Sequence, residues 1–145
     1  MIREIKEQDL ESLLRLYLHL HERSVPEDTP ERAALWERIL NDPSYHLIVA
    51  EEDGKIVSSC VCVIVPNLTH DLRPYALIEN VVTDAAYRRL GFATACLDFA
   101  KELALKENCY KLMLMTGSKD PKTHDFYQHA GYSSQDKTAY TQWIE

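Results

Sequence analysis

A chain of 145 residues holds one domain and leaves little room for a second. With 46% hydrophobic and 27% charged residues, it has the composition of an ordinary globular protein, which excludes intrinsic disorder. Sixteen lysines and arginines against 23 acidic residues give a formal charge of −7, so a global basic footprint for nucleic acid or an anionic membrane is excluded. A phosphate-rich ligand would have to be held by a local device.

The N-terminus, Met1-Ile2-Arg3-Glu4-Ile5-Lys6, lacks the apolar run of a signal peptide, and no stretch approaches about 18 apolar residues. The cytoplasm is the expected location. Cys60, Cys62, Cys96 and Cys109 show no C-x-x-C pair and no zinc-ligand spacing with histidine, so they read as core thiols and no metal is expected.

In chain order, Ile2–Ile5 makes a short first strand. Asp9 reads as the N-cap of a helix carrying Leu10, Leu13, Leu14, Tyr17 and Leu18 at helical spacing. After a polar, proline-bounded connection, Glu31–Leu40 reads as a second helix stopped by Asn41-Asp42-Pro43. Tyr45–Glu52 and Lys55–Val65 are strands around the hairpin signal Asp53-Gly54. A polar loop, Pro66–Pro74, leads to a strand at Tyr75–Thr83.

Gly91–Glu107 switches to a helix with Phe92, Cys96, Phe99, Ala100 and Leu103 on one stripe. Tyr110–Met115 is an apolar run of strand length. Asp120-Pro121 opens a helix that ends at Gly131. Thr138–Ile144 reads as a closing strand. The order β-α-α-β-β-β-α-β-α-β predicts an α/β domain with a mixed sheet over residues 1–145.

The segment with most chemistry is the third long strand, Ile78-Glu79-Asn80-Val81-Val82-Thr83, followed by Asp84-Ala85-Ala86-Tyr87 and by Arg88-Arg89-Leu90-Gly91-Phe92-Ala93. A strand enters a turn with two arginines and a glycine, and a helix begins there. Backbone N–H groups and the helix dipole then suit a pyrophosphate. The turn lacks the spacing of a phosphate-binding loop ending in Gly-Lys-Ser/Thr, and one glycine is too few for a dinucleotide fingerprint. Alone it is equally readable as an exposed basic helix start.

Arg88-x-x-Gly91-x-Ala93 resembles the Q/R-x-x-G-x-G/A signature with which GNAT N-acetyltransferases hold the coenzyme A pyrophosphate. Phe126-Tyr127-Gln128-His129-Ala130-Gly131-Tyr132 resembles that family's later F/L-Y-x-x-x-G-F/Y element. Ile78-Glu79-Asn80-Val81-Val82 and Asn108-Cys109-Tyr110-Lys111 are similar to the I-E-D-V-V and N-C-Y-K segments of the glucosamine-6-phosphate branch. Asn80 stands there in place of aspartate, and Ser118–Asp125 differs from the branch's shorter turn.

The resemblance implies a mixed-sheet GNAT fold, acetyl-CoA as co-substrate, and transfer of the acetyl group to the primary amine of a small molecule. It implies that Val81 donates its N–H to the thioester oxygen and that Val82 and Thr83 bond the pantetheine arm. Arg88, Arg89, Gly91, Phe92, Ala93 and Thr94 would surround the pyrophosphate. Tyr127 matches the tyrosine that protonates the departing thiolate, its alternative role being packing.

On a regular strand Glu79 lies on the same side as Val81 and Thr83, which makes it the general-base candidate. Its alternative is a structural carboxylate paired with Arg73. The polar loop suggests an acceptor site lined by Asn67, Thr69, His70, Arg73 and Tyr75, although such loops are also commonly only solvated. Partners are then a small amine and, through the closing strand ending in Trp143 and Ile144, a second copy of the chain in a homodimer. Competing functions are glucosamine-6-phosphate acetylation, a coenzyme A sensor without turnover, and acetylation of a basic peptide.

Overall fold

The structure, a computed structural model, describes residues 1–145. Its frame follows from two runs of buried β-branched and small residues. In β2 (Tyr45–Glu52) and β3 (Lys55–Val65) the segments Leu47–Ala50 and Ile56–Cys62 are buried throughout, as in strands covered on both faces. They are joined at Asp53 and Gly54, whose φ values of 50° and 75° are the two positive angles of a type I′ turn. With β1 (Ile2–Glu4), β4 (Tyr75–Thr83) and β5 (Leu112–Met113) they form one sheet in the order β1-β2-β3-β4-β5. The first three pairings are antiparallel and the last is parallel.

Helices cover both faces. Ile48, Cys60, Cys62, Ala76 and Ile78 pack with Cys96, Leu97, Ala100 and Ala104 of α3 (Phe92–Lys106). On the other face Leu47, Val49, Val61 and Val82 meet Leu13 and Leu16 of α1 (Leu10–Leu16) and Trp36 of α2 (Pro30–Asn41). Thr29 caps α2 by accepting the Arg32 N–H, with proline at the first helical position. α4 (Pro121–His129) starts the same way on Asp120, and its Phe126 and Tyr127 pack on the α3 side. All four cysteines are buried free thiols, as expected.

Asp9 does a different job from the cap expected of it. Its carboxylate accepts the Lys6 N–H at 2.7 Å and takes a two-pronged ion pair from Arg3, tying β1 to the start of α1. That pairing, opposed by burial, holds its pKa below 3.8.

Two expected strands also change. The apolar run Tyr110–Met115 pairs with β4 over Ala76↔Leu112 and Leu77↔Met113, supported by Tyr110 N–H to Pro74 C=O and Ala76 N–H to Lys111 C=O. It then diverges. The closing strand expected at Thr138–Ile144 does not form: residues 133–145 carry no strand, and Tyr140, Trp143 and Ile144 are 93%, 81% and 94% exposed. Strand propensity without ladder pairing does not make a strand.

Candidate active site

Beyond Leu77, β4 has lost its neighbour on the β5 side. Alternate N–H and C=O groups of residues 78–83 therefore face a split in the sheet with no strand to bond. Within this open stretch lies a bulge. On β3, Val61 opposes Glu79 and Ser59 opposes Val82, so Asn80 and Val81 together face the single residue Cys60. Asn80 absorbs the extra residue with φ of 51°, a left-handed conformation that asparagine tolerates better than most side chains.

The bulge corrects the expectation that Glu79 and Val81 share a side. Val81 packs with the α3 cluster alongside Ile78, whereas Val82 is buried in the α1/α2 cluster. Glu79 stays on the α1/α2 face, close enough to Tyr45 that its charge, after burial, helps raise the phenol pKa. Arg73, the alternative partner of Glu79, is engaged elsewhere. Tyr127 lies across the sheet, on the α3/α4 face, edge-on to Phe126 at 5.1 Å and to Tyr132 at 6.2 Å. Burial first, and Cys60 second, raise its pKa, so it stays a phenol with a proton to give at neutral pH.

At the end of β4 the chain enters the turn to α3. Asp84 anchors that turn: it accepts the Ala86 N–H at 2.9 Å and the Lys55 ammonium at 2.7 Å, and its own N–H reaches Val57 C=O. These bonds, the Lys55 one foremost, lower its pKa. Arg88 folds back to donate Nε–H to the Thr83 carbonyl at 3.3 Å. Arg89 and Gly91 take left-handed φ values of 64° and 86°, and Gly91 is the N-cap of α3. An added Cβ at Gly91 would meet nothing within 4 Å, so glycine is needed there for its φ and not for space.

No side chain caps α3 and no acidic residue occupies its first turn. Its first backbone bond runs from the Ala95 N–H to the Gly91 C=O at 3.0 Å, leaving the amides of Phe92, Ala93 and Thr94 without helical partners. Two exposed arginines stand beside this free N-terminus. The donor set suits a pyrophosphate, and the bare β4 edge suits an extended amide-containing arm such as pantetheine. Thr83 uses its hydroxyl on Ser58 at 2.8 Å and its carbonyl on Arg88, so neither of these is free for such an arm.

The polar loop of residues 66–74 is placed differently from the expectation. It sits at the closed end of β4, and Tyr75 lies four residues from Glu79, about 13 Å along a strand. Asn67 donates its amide to the Thr69 and Arg73 carbonyls, and Arg73 donates to the carbonyls of Asn108 and Cys109 at 3.1 and 3.0 Å. His70 stacks on Tyr110 with ring centroids 3.8 Å apart, and Tyr75 meets the same ring edge-on. Arg73, His70 and Tyr75 thus contact the α3–β5 connection, while Asn67 bonds within the loop itself.

A cavity of about 300 Å³ lies on the Glu79 face, between α1, α2 and the sheet, with Tyr17, Trp36, Tyr45 and Asn80 among its walls. The sequence reading missed it, and also missed Asp84 and the bulge. Asp84 had a legible signal, an aspartate two residues before the N–H it caps. The cavity had none, because the residues lining it come from segments distant in sequence.

Comparison with known proteins gives consistent relatives. Residues 10–132 match the model of the acetyltransferase (GNAT) family. A protein of Agrobacterium tumefaciens str. C58, proposed to be an acetyltransferase, is 40% identical, with a TM-score of 0.91 and 99% of each chain covered. Glucosamine 6-phosphate N-acetyltransferase of Trypanosoma brucei brucei is 29% identical over 94% of this chain and 90% of its own length. The Arabidopsis thaliana glucosamine-6-phosphate N-acetyltransferase, at 21% identity, shares the fold with a TM-score of 0.87 over 100% of this chain and 98% of its own. With this match over most of its length, the chain belongs to the acetyltransferase (GNAT) family and is an acetyl-CoA-dependent N-acetyltransferase.

Proposed function

We propose that the open end of β4 is where acetyl-CoA and a small primary amine meet, the whole chain acting as one catalytic domain. The observation that carries this reading is the uncapped α3 N-terminus, with Arg89 and Gly91 in left-handed conformations, next to an unpaired strand edge. Arg88, Arg89, Gly91, Phe92, Ala93 and Thr94 hold the pyrophosphate through backbone amides and the two cations. Val82 and Thr83 bond the pantetheine arm through their backbone. Val81 donates its N–H to the thioester oxygen as negative charge grows there.

The bulge gives the two proton-transfer groups opposite faces of the split. Glu79 removes a proton from the acceptor ammonium on the α1/α2 face, directly or through water. Tyr127 returns a proton to the departing thiolate on the α3/α4 face. The amine attacks directly, with both substrates bound. A thiol-release assay over a panel of amines tests the reading: release that depends on an added amine supports it, and release at the same rate without one opposes it.

Glucosamine 6-phosphate remains a second reading for the acceptor, favoured by the 29% identical trypanosomal relative. A homodimer formed partly through the C-terminal segment Thr138–Ile144 is a further part of the proposal. The support is a tail with Tyr140, Trp143 and Ile144 exposed and, separately, an edge strand, β5, with Met113 and Met115 exposed on and just beyond it. Light scattering at micromolar protein should give twice 16.7 kDa; the single mass would end this part.

A further inference from the structure

The turn on which the pyrophosphate reading depends is exposed from Arg88 to Gly91, and Arg89 and Gly91 hold left-handed φ values. A short exposed turn of this kind keeps its shape only where its surroundings fix it. The direction of its amides therefore depends on how its two ends are held. On the N-terminal side stands the single helical turn Ala85–Tyr87, begun by Asp84. On the other stands Phe92, the first residue of α3.

One side chain from a different part of the chain reaches both sides of the Ala85–Tyr87 turn. Lys55 opens β3 directly after the hairpin residue Gly54, 29 positions before Asp84. Its ammonium donates to Asp84 Oδ2 at 2.7 Å and lies 5.4 Å from the centroid of the Tyr87 ring. Within the turn, Asp84 Oδ1 accepts the Ala86 N–H at 2.9 Å, and the Asp84 carbonyl accepts the Tyr87 N–H at 2.8 Å. The Tyr87 ring then meets the Phe92 ring edge-on, with 6.2 Å between centroids. Lys55 is thus joined, through Asp84 and Tyr87, to both ends of the Arg88–Gly91 turn.

The exposures of the two partners set the size of the effect. The Asp84 side chain is 9% exposed, so taking away its cation strands a carboxylate where water replaces it poorly. The Lys55 side chain is 55% exposed, so solvent screens the pair and keeps its contribution modest. His19, the other basic side chain near Asp84, stands 3.8 Å from Oδ1, beyond hydrogen-bond distance. Lys55 is therefore the cation bonded to this carboxylate.

Resting on the reading that the start of α3 holds the pyrophosphate, we propose that Lys55 is a positioning residue for acetyl-CoA. Paired with Asp84 and set against Tyr87, it holds the Arg88–Gly91 turn in its binding shape without touching the coenzyme.

The test is a double-mutant cycle on the full chain, read as acetyl-CoA affinity by calorimetry well below the Tm of each variant. Lys55→Met keeps the aliphatic stem, removes the cation and should weaken binding about fivefold, as suits a pair with one exposed partner. Asp84→Asn can still accept the Ala86 N–H and should weaken binding by a similar factor. The double variant should bind about as well as the weaker single variant, because both changes break the same pair. Lys55→Arg supplies a cation for both contacts and should stay within about twofold of the parent. Parent affinity in a folded Lys55→Met protein overturns the proposal. So does a loss in Lys55→Arg as large as that in Lys55→Met. Losses that multiply in the double variant also overturn it, because Lys55 would then act independently of Asp84. Gly91→Val separates the two readings. Weakened binding in Gly91→Val with Lys55→Met unaffected ends the positioning role alone, whereas parent affinity in both ends the pyrophosphate reading as well.

Discussion

The two ends of β4 differ in one respect that matters for function. At its N-terminal end the strand is paired on both sides, and the polar side chains nearby are engaged: Asn67 with carbonyls of its own loop, Arg73 with carbonyls of the α3–β5 connection, and His70 stacked on Tyr110. At its C-terminal end the pairing with β5 has stopped, a bulge turns Glu79 and Val81 to opposite faces, and the next helix begins with free amides. The polar end spends its side chains within the chain, and the end with unsatisfied backbone is the one we propose as the site. On that proposal, backbone groups left without partners mark the site better than a concentration of polar side chains does.

The largest effect separating the two ends should be on turnover. Glu79→Gln and Tyr127→Phe should each lower kcat by roughly 10²-fold, about 2.7 kcal/mol of barrier, with acetyl-CoA affinity little changed. Full turnover in both, where chemistry limits the rate, would remove them from the mechanism. At the closed end the effect should be on stability alone. Arg73→Met, which orphans two carbonyls, should cost about 2 kcal/mol in urea unfolding and leave the KM values near those of the parent. A raised acceptor KM in a stable Arg73→Met protein would return the loop to the active site.

Gly91→Val should weaken acetyl-CoA binding about tenfold, or 1.4 kcal/mol, because a β-branched residue resists the φ of 86° that aims the turn's amides. Unchanged calorimetric affinity in a folded Gly91→Val variant would end the pyrophosphate assignment. The smallest effect concerns the anchor of the same turn. The folded pKa of Asp84 lies below its ordinary 3.8, so its stabilisation is present above that value and lost as pH falls through the lower folded pKa. Asp84→Asn should therefore flatten the acid limb of the curve of Tm against pH, and an unaltered limb would show that the carboxylate contributes nothing there.

Much of this was legible in the sequence for identifiable reasons. Asp53-Gly54, Asp120-Pro121 and Gly91 each carry a local backbone requirement, and the structure places a turn or a helix start at each. Strands β2 and β3 were fixed by their runs of buried residues. What failed depended on pairing. The side of the sheet taken by Glu79 depends on one bulged residue, and Asn80 does not announce it because asparagine is also common in ordinary polar positions. Thr138–Ile144 has the propensity of a strand, but propensity does not show whether a segment pairs with an available edge, and this one does not. For the loop residues Asn67, His70, Arg73 and Tyr75, sequence shows polarity without showing the partners that the side chains have within the chain.

Acetyl-CoA titrated into isotope-labelled protein, followed through the backbone amide resonances, tests most directly the claim that the two ends of β4 have separate roles. The account predicts that the amides of Val81 to Thr83 and of Arg89 to Thr94 shift together and saturably, while those of residues 66–75 stay in place. Shifts centred on residues 66–75, with the start of α3 unmoved, would contradict it.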